Sequence, residues 1–184
     1  MIVRAVLMAT LLGAPALAQD RFQRGTVRWN GKVEPRGAIL LKSAMLERHN
    51  AARRDYGVPA LGWDDKLAAS ALVHARHLAS TDTFEHADQD DAETPEGENL
   101  YMGTRGAFSY TGMAQLWIDE RRYFRAGRFP DVVTTGHWSK VGHYTQIIWP
   151  TTQRVGCAMA SNASDDYLVC RYFPAGNYFG TVLR

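Results

Sequence analysis

The 184-residue chain has two cysteines, Cys157 and Cys170, in the runs RVGCAMA and YLVCRYF, with the polar SNASDD between them. Two apolar, strand-like runs on either side of a turn-rich segment predict an antiparallel hairpin. That hairpin limits what the C-terminal part of the chain can be. Two cysteines allow one intramolecular pairing, and closing it across the hairpin would add about 2–3 kcal/mol. The other reading leaves two buried free thiols. The compartment decides between them, because disulfides persist where the surroundings are oxidising.

The N-terminus speaks to the compartment. MIVRAVLMATLLGAPALAQD carries one cation, Arg4, an apolar stretch from Ala5 to Leu12, and small residues at Ala16 and Ala18. This is the pattern of a secretory leader cleaved after Ala18, too short and wrongly flanked for a membrane anchor. The expected organisation is therefore a signal peptide over 1–18, a flexible lead over 19–36 with a short extended piece near Thr26–Trp29, and one domain over 37–184. The expected location is secreted or periplasmic. Formal net charge is +2, and removal of Arg4 would bring it to about +1. Basic and acidic residues are interleaved, with no nucleic-acid footprint. No other window reads as a transmembrane segment, and no feature names a protein partner.

From Gly37 the apolar spacing is helical. Leu40, Leu41, Ala44, Met45 and Ala51 or Ala52 share a stripe that ends before Gly57 and Pro59. A second helix starts at the N-cap Asp64, with Leu67, Ala71, Leu72, Ala75 and Leu78 as its core stripe. His74 and His77 lie within it and read as ordinary helix histidines. FEHADQDDAETPEGENLYMG reads as an acid-rich loop. A third helix begins near Thr111, and a long connection with scattered aromatics follows it. GHYTQIIW, Gly142 to Trp149, reads as an apolar strand with His143 at its mouth. Helices first and strands last predict an α+β domain.

Four polar residues stand at element ends: His86 after the second helix, Glu98 in EGENLYMG, Glu120 in LWIDE and His143. Glu120 lies three residues beyond Trp117 and so on nearly the same side of its helix, where a carboxylate needs a partner. Converged on one cavity, two imidazoles and two carboxylates fit two kinds of chemistry. Neutral imidazoles bind Zn2+ or Cu2+, with the carboxylates orienting the rings; alternatively, Glu–His pairs move protons. The sequence has no Gly-x-Ser-x-Gly nucleophile motif and no His-Glu-x-x-His. Asn50, Tyr144, Gln146 and Asn177 read as architectural, Gly176 as the permissive backbone of the last turn, and Trp63, Trp117 and Trp149 as core.

ERHNAARRDYGVPALGWDDKLAASALVHARHLA, GENL, LWIDE, GHYTQIIWPTT, VGCAMA and YLVCRYFPAGNYFG occur in this order. From about Ala38 to Gly180 the chain resembles the CAP superfamily of cysteine-rich secretory proteins, insect venom allergens and plant pathogenesis-related class 1 proteins. The resemblance implies a three-layer α-β-α sandwich with a central antiparallel sheet. It also implies a cleft holding His86, Glu98, Glu120 and His143 as a tetrad, with Zn2+ on His86 and His143. The segment between His86 and Glu98 is longer than in the plant relatives, and its added acids would rim the cleft.

Two functions follow as expectations. One is an exported, non-enzymatic binding module for a small apolar ligand, a sterol or fatty acid, with a divalent metal in the cleft. In that case the loop from Phe124 to Trp138 either walls a lipid groove or caps the core with Phe124, Phe129 and Trp138. The other is a metal-dependent hydrolase, a peptidase, with Glu98 or Glu120 as the base. The balance leans away from an enzyme, because two protein ligands are fewer than catalytic zinc usually has.

Overall fold

The computed structural model describes residues 2–9, 23–28, 31–89 and 93–184, the first two stretches as backbone only. The helical stripe after Gly37 forms α1 (Ala38–Tyr56), closed by Gly57 in the left-handed conformation at φ 88°. Glycine reaches that region without a Cβ penalty. Helix α2 (Asp65–Thr81) starts as its sequence requires, with the Asp64 carboxylate accepting from the amides of Lys66 and Leu67 at 2.8 and 3.2 Å. The third helix, α3 (Tyr110–Ile118), passes into a 3-10 turn over Asp119–Tyr123.

Most of the remainder is sheet. Strands β1 (Ile2–Ala9), β2 (Gln23–Arg28), β3 (Gly62–Trp63), β4 (Gly97–Thr104), β6 (Arg154–Ser161) and β7 (Asp165–Phe173) form one sheet in the order β2-β1-β4-β7-β6-β3. A two-stranded ribbon joins β5 (Gly127–Arg128) to β8 (Val182–Leu183). The large sheet is antiparallel except at β3, which runs parallel to β6, so it is mixed rather than wholly antiparallel. Residues Ile2–Ala9, the heart of the expected leader, pair with β4 and β2. Within the expected flexible lead, Gln23–Arg28 forms the strand β2, paired with β1 and overlapping the short extended piece expected near Thr26. The expected cleavage point after Ala18, and Trp29, lie outside the described residues.

Strand alternation builds the layers, since successive side chains leave opposite faces. Leu168, Cys170 and Tyr172 of β7 face α1 and α3, in a core with Met45, Met113, Trp117 and Ile147. Tyr167 and Val169 face the other way, onto Ala71, Ala75 and Leu78 of α2. Helix layers on both faces make the three-layer sandwich. Gly156 lets α2 approach β6, because a Cβ there would run into the backbone of Asp64, Leu67 and Ala68. The hairpin forms as expected: Cys157 and Cys170 are directly opposed across β6 and β7 and joined by a disulfide.

Two sequence expectations are corrected. GHYTQIIW is not a strand: Gly142–Ile147 forms a short helix, α4, every residue of which is buried. A helix covered on all sides shows no amphipathic period, and its β-branched residues imitate a strand. The acid-rich loop ends earlier than expected, with GENLYMG forming β4. Residues 97–101 of β4 are all buried, so no alternation marks the strand.

A polar chain crosses the main core. The His49 ring is fully buried, donating from Nδ1 to the Met45 carbonyl at 2.7 Å and accepting at Nε2 from the Tyr172 hydroxyl at 2.8 Å. Asn99 Nδ2 donates to the same hydroxyl at 3.0 Å and to the His143 carbonyl at 3.2 Å. Burial lowers the His49 pKa to about 4 from 6.5. Between those values the unfolded chain binds the proton and the folded one does not. Stability should be full above about pH 6.5 and fall as pH drops toward 4, by on the order of 3 kcal/mol from His49. His74, also lowered mainly by burial, adds in the same direction. Urea unfolding at pH 7, 5.5 and 4 should show this slope, and His49→Gln should flatten it without abolishing it; an unchanged slope would put the titration elsewhere.

Candidate functional site

The four residues singled out in the sequence form two His–Glu pairs. In the first, His86 Nδ1 meets Glu98 Oε1 at 2.6 Å, and the Ala87 amide donates to the same oxygen at 3.1 Å. Glu98 starts β4 and points toward α2. Its other oxygen lies 2.9 Å from Arg171 on the neighbouring strand, where the two residues are in register. Burial alone would raise the Glu98 pKa, but His86 and Arg171 outweigh it and hold the carboxyl below its ordinary value. The carboxylate is therefore charged at neutral pH and already has a cationic partner.

In the second pair, His143 Nδ1 meets Glu120 Oε1 at 2.6 Å. Glu120 Oε2 also accepts from the amides of His143 and Tyr144 at 3.0 and 3.1 Å. One carboxylate in the 3-10 turn after α3 thus caps α4 and orients its histidine. The His143 ring stacks on Trp117, with centroids 6.0 Å apart and planes 11° from parallel. In both pairs the carboxylate fixes the Nδ1 proton, so a neutral ring presents its lone pair at Nε2. Both Nε2 atoms are buried and lack a hydrogen-bond partner among the described residues.

Those two orphaned lone pairs fit the ligand chemistry of Zn2+. Among the described residues, however, no three His, Cys, Asp or Glu side chains gather as a metal site. Around the first pair lies a cleft of about 840 Å3 lined by Ser70, His74, His77, His86, Glu96 and Arg171. His74, read from sequence as an ordinary helix residue, belongs to this cleft. It donates from Nε2 to the Glu85 carbonyl at 2.9 Å and lies 3.8 Å from Glu98. Its place between Ala71 and Leu78 on the buried stripe was the available signal. Arg171 was missed because nothing in YLVCRYF shows that it faces Glu98. Of the added acids, Glu96 is tied to Ser70 at 2.7 Å and lies 3.5 Å from Arg171.

The architectural residues brace α4. Asn177, at φ 60°, accepts from Thr145 at 2.7 Å and donates to the Gly142 carbonyl at 3.0 Å. Here the asparagine, not Gly176, takes the left-handed backbone. Gly176 is needed for space, since a Cβ would press on Gln146 and Trp149. The Gln146 side-chain oxygen Oε1 in turn accepts from the Gly176 amide at 2.9 Å. Asn50 bonds both the amide and the carbonyl of Leu61. Tyr144 packs edge-on against Phe124, with centroids 5.5 Å apart.

Residues 46–172 match the model of the CAP, or cysteine-rich secretory protein, family. The chain belongs to that family. It is 37% identical over 136 residues to pathogenesis-related protein 1A of Nicotiana tabacum, spanning 73% of this chain and 76% of the relative. Against cysteine-rich secretory protein 2 of Cavia porcellus it is 34% identical over 160 residues, 80% of this chain and 64% of that one. In fold, this CAP domain is similar to the crystal structure of NaASP2 with Zn2+, with a TM-score of 0.67 and 21% identity over 84% of this chain and 87% of that one.

Glu120→Gln separates the two duties of that carboxylate. The amide oxygen can still cap α4, but its NH2 facing Nδ1 makes Nδ1 an acceptor and moves the ring proton to Nε2. Nitrogen NMR of His143 should show the tautomer reversed in a folded protein. Glu120→Ala removes the cap as well and should cost about 3 kcal/mol in denaturant unfolding. An unaltered tautomer in Glu120→Gln would mean that Glu120 does not set the ring.

Proposed function

We propose that this CAP protein is exported and acts as a non-enzymatic binding module for a small apolar ligand, with a divalent metal held between His86 and His143. The observation that carries the ligand reading is a groove of about 680 Å3 between the start of α1, α2 and the outer side of β6. That volume falls in the range of small-molecule sites, about 300–1,000 Å3. Leu41, Leu72, Ala158 and Met159 supply apolar wall, and Lys42 adds a cationic head; Arg36 also lines the groove but is paired with Asp166 at 2.7 Å, and Asp65 accepts from the Trp63 indole at 2.9 Å. Ile39, also lining it, is 88% exposed. Apolar walls with one lysine at the rim suit an amphiphile, a fatty acid with its carboxylate at Lys42 or a sterol.

The groove lies elsewhere than the aromatic loop considered from sequence. Phe129 and Trp138 are buried with Val132, Val141, Trp149 and Leu183, and Phe124 packs against the same cluster. They cap the core. Trp63 is the reverse case: it is only half-buried and lines the groove, with Lys42 Nζ 5.5 Å from its ring centre.

Displacement of a fluorescent fatty acid should show saturable binding. Ala69→Trp, which fills the groove from α2, should weaken it at least about tenfold with little change in melting temperature. Lys42→Glu should weaken a fatty acid by about fivefold and leave a sterol unaffected. Absence of saturable binding by either ligand would end this reading.

For the metal, the supports are the two carboxylate-backed imidazoles with free Nε2 atoms and the Zn2+ named with NaASP2. Zinc titration calorimetry should show micromolar binding, order of magnitude, that is lost in the His86→Ala/His143→Ala double variant. Equal binding by the variant would place the metal elsewhere. Two imidazoles fall short of the three protein ligands usual for catalytic zinc, which favours binding over hydrolysis. Export is supported by the apolar N-terminus, the disulfide and the secretory name of the family. No helix among the described residues is long and apolar enough to cross a membrane.

A further inference from the structure

Tyr178, Phe179 and Val182 are 46%, 52% and 40% exposed, an aromatic and aliphatic group within five residues of chain. The fold holds them in place. Phe129 donates to the Thr181 carbonyl at 2.7 Å and accepts from the Gly180 amide at 2.8 Å, pinning the turn. Phe179 rests on the buried Phe129, centroids 5.6 Å apart, with Trp138 beside it. In the β5–β8 ribbon Val182 is opposite Arg128, and Leu183 turns inward. Alternation therefore puts Val182, Arg128 and Arg184 on one outer face.

The charge of this region is one-sided. Residues 121–140 contain five cations, Arg121, Arg122, Arg125, Arg128 and Lys140, against the single acid Asp131, in a chain whose net charge is only +2; Arg121 alone of the five has an acidic partner among the described residues, Asp55 at 3.8 Å. Two of the guanidiniums are held by backbone carbonyls: Arg125 donates to Val133, and Arg128 to Gly180. Such bonds orient a guanidinium without neutralising it. Exposed aromatics at an interface sit at headgroup depth, and cations beside them draw the surface to anionic lipid.

We propose that the outer face of the β5–β8 ribbon, with Val182, Arg128 and Arg184, together with the adjoining turn that exposes Tyr178 and Phe179, docks on an anionic lipid bilayer. This face has no residue in common with the groove or with either His–Glu pair, so the inference is independent of the ligand and metal readings. Docking here would bring a carrier of an apolar ligand to the phase in which that ligand dissolves.

The test is sedimentation of the full chain with phosphatidylcholine vesicles, with or without phosphatidylglycerol at about 30 mol%. Binding to the anionic vesicles should exceed binding to the neutral ones by about tenfold and weaken as salt is added. The Y178S/F179S variant should lose about tenfold in binding, and R128Q/R184Q should bring the two vesicle types level. Melting temperatures establish that the variants are folded. Should Y178S/F179S be destabilised, V182S, whose side chain faces outward, is read in its place. Equal partitioning onto both vesicle types by the parent chain overturns the proposal. So does anionic binding that survives loss of the aromatics, which would be adsorption by charge alone. A concentration-dependent dimer lost in the same variants, with no vesicle binding, would assign the face to a second copy of the chain and overturn it too.

Discussion

Helix α4 is held by a charge at each end. At its N-terminus Glu120 receives two amides and the His143 ring. At its C-terminus the buried Arg53 donates to the carbonyls of Ile147 and Trp149 at 2.8 and 2.9 Å, with further bonds to Thr152 and Pro59. Burial lowers the Arg53 pKa to about 10, which still leaves it charged at neutral pH. Six residues are too few to make a helix stable alone, and these charges match the polarity of the helix dipole. Without them the unpaired amides and carbonyls of α4 would sit in a dry core. The position of His143, the packing of Trp149 and the course of the chain to β6 all depend on that clamp.

The clamp also explains which parts of the architecture were legible in the sequence. Helices α1 and α2 could be read because each has one wet face and its own stop or start, Gly57 and Asp64. The cysteine hairpin could be read because its turn is polar. Helix α4 could not, because its caps come from Glu120 and Arg53, 23 or more residues away in the chain, and local pattern does not carry such information. Strand β4 was hidden for a related reason. Glu98 and Asn99 are polar yet buried, each bonded to residues of other elements, so the segment imitates a loop. His86, Glu98, Glu120 and His143 stood out as chemical types at element ends, and the motifs of a known family ordered them. How they pair, and that His74 and Arg171 join the first pair, depends on strand register and helix facing.

Space is specified as tightly as charge. The Gln146 side chain occupies room that a Cβ at Gly97 or at Gly176 would take. It therefore fits the start of β4 and the tail after β7 at once, bringing the Glu98 end of β4 against the helix that carries His143. Asn177 and Asn99 then secure α4 to the tail and to the sheet through its carbonyls at Gly142 and His143. Glycine and asparagine at these points act as spacers and ties, so the placement of both His–Glu pairs rests on residues that do no chemistry.

The two His–Glu pairs match in geometry and differ in electrical balance. Glu98 has the Arg171 guanidinium 2.9 Å away, shared with Glu96 at 3.5 Å, so the first pair with a neutral His86 is partly neutralised. Glu120 has backbone amides and no such arginine among its bonded partners, so the second pair with a neutral His143 keeps most of a negative charge. Were His86 and His143 to hold a divalent cation, attraction would come more from the Glu120 side, and His86 would contribute a lone pair with a weaker field behind it. Arg171 would then work against the metal at that position. Removing its charge leaves Glu98 free to strengthen the field at His86, although it also strips a buried carboxylate of its partner. Metal affinity and fold stability are opposed at Arg171. The arginine that secures the buried Glu98 carboxylate is thus the residue whose charge would oppose a cation at His86 Nε2.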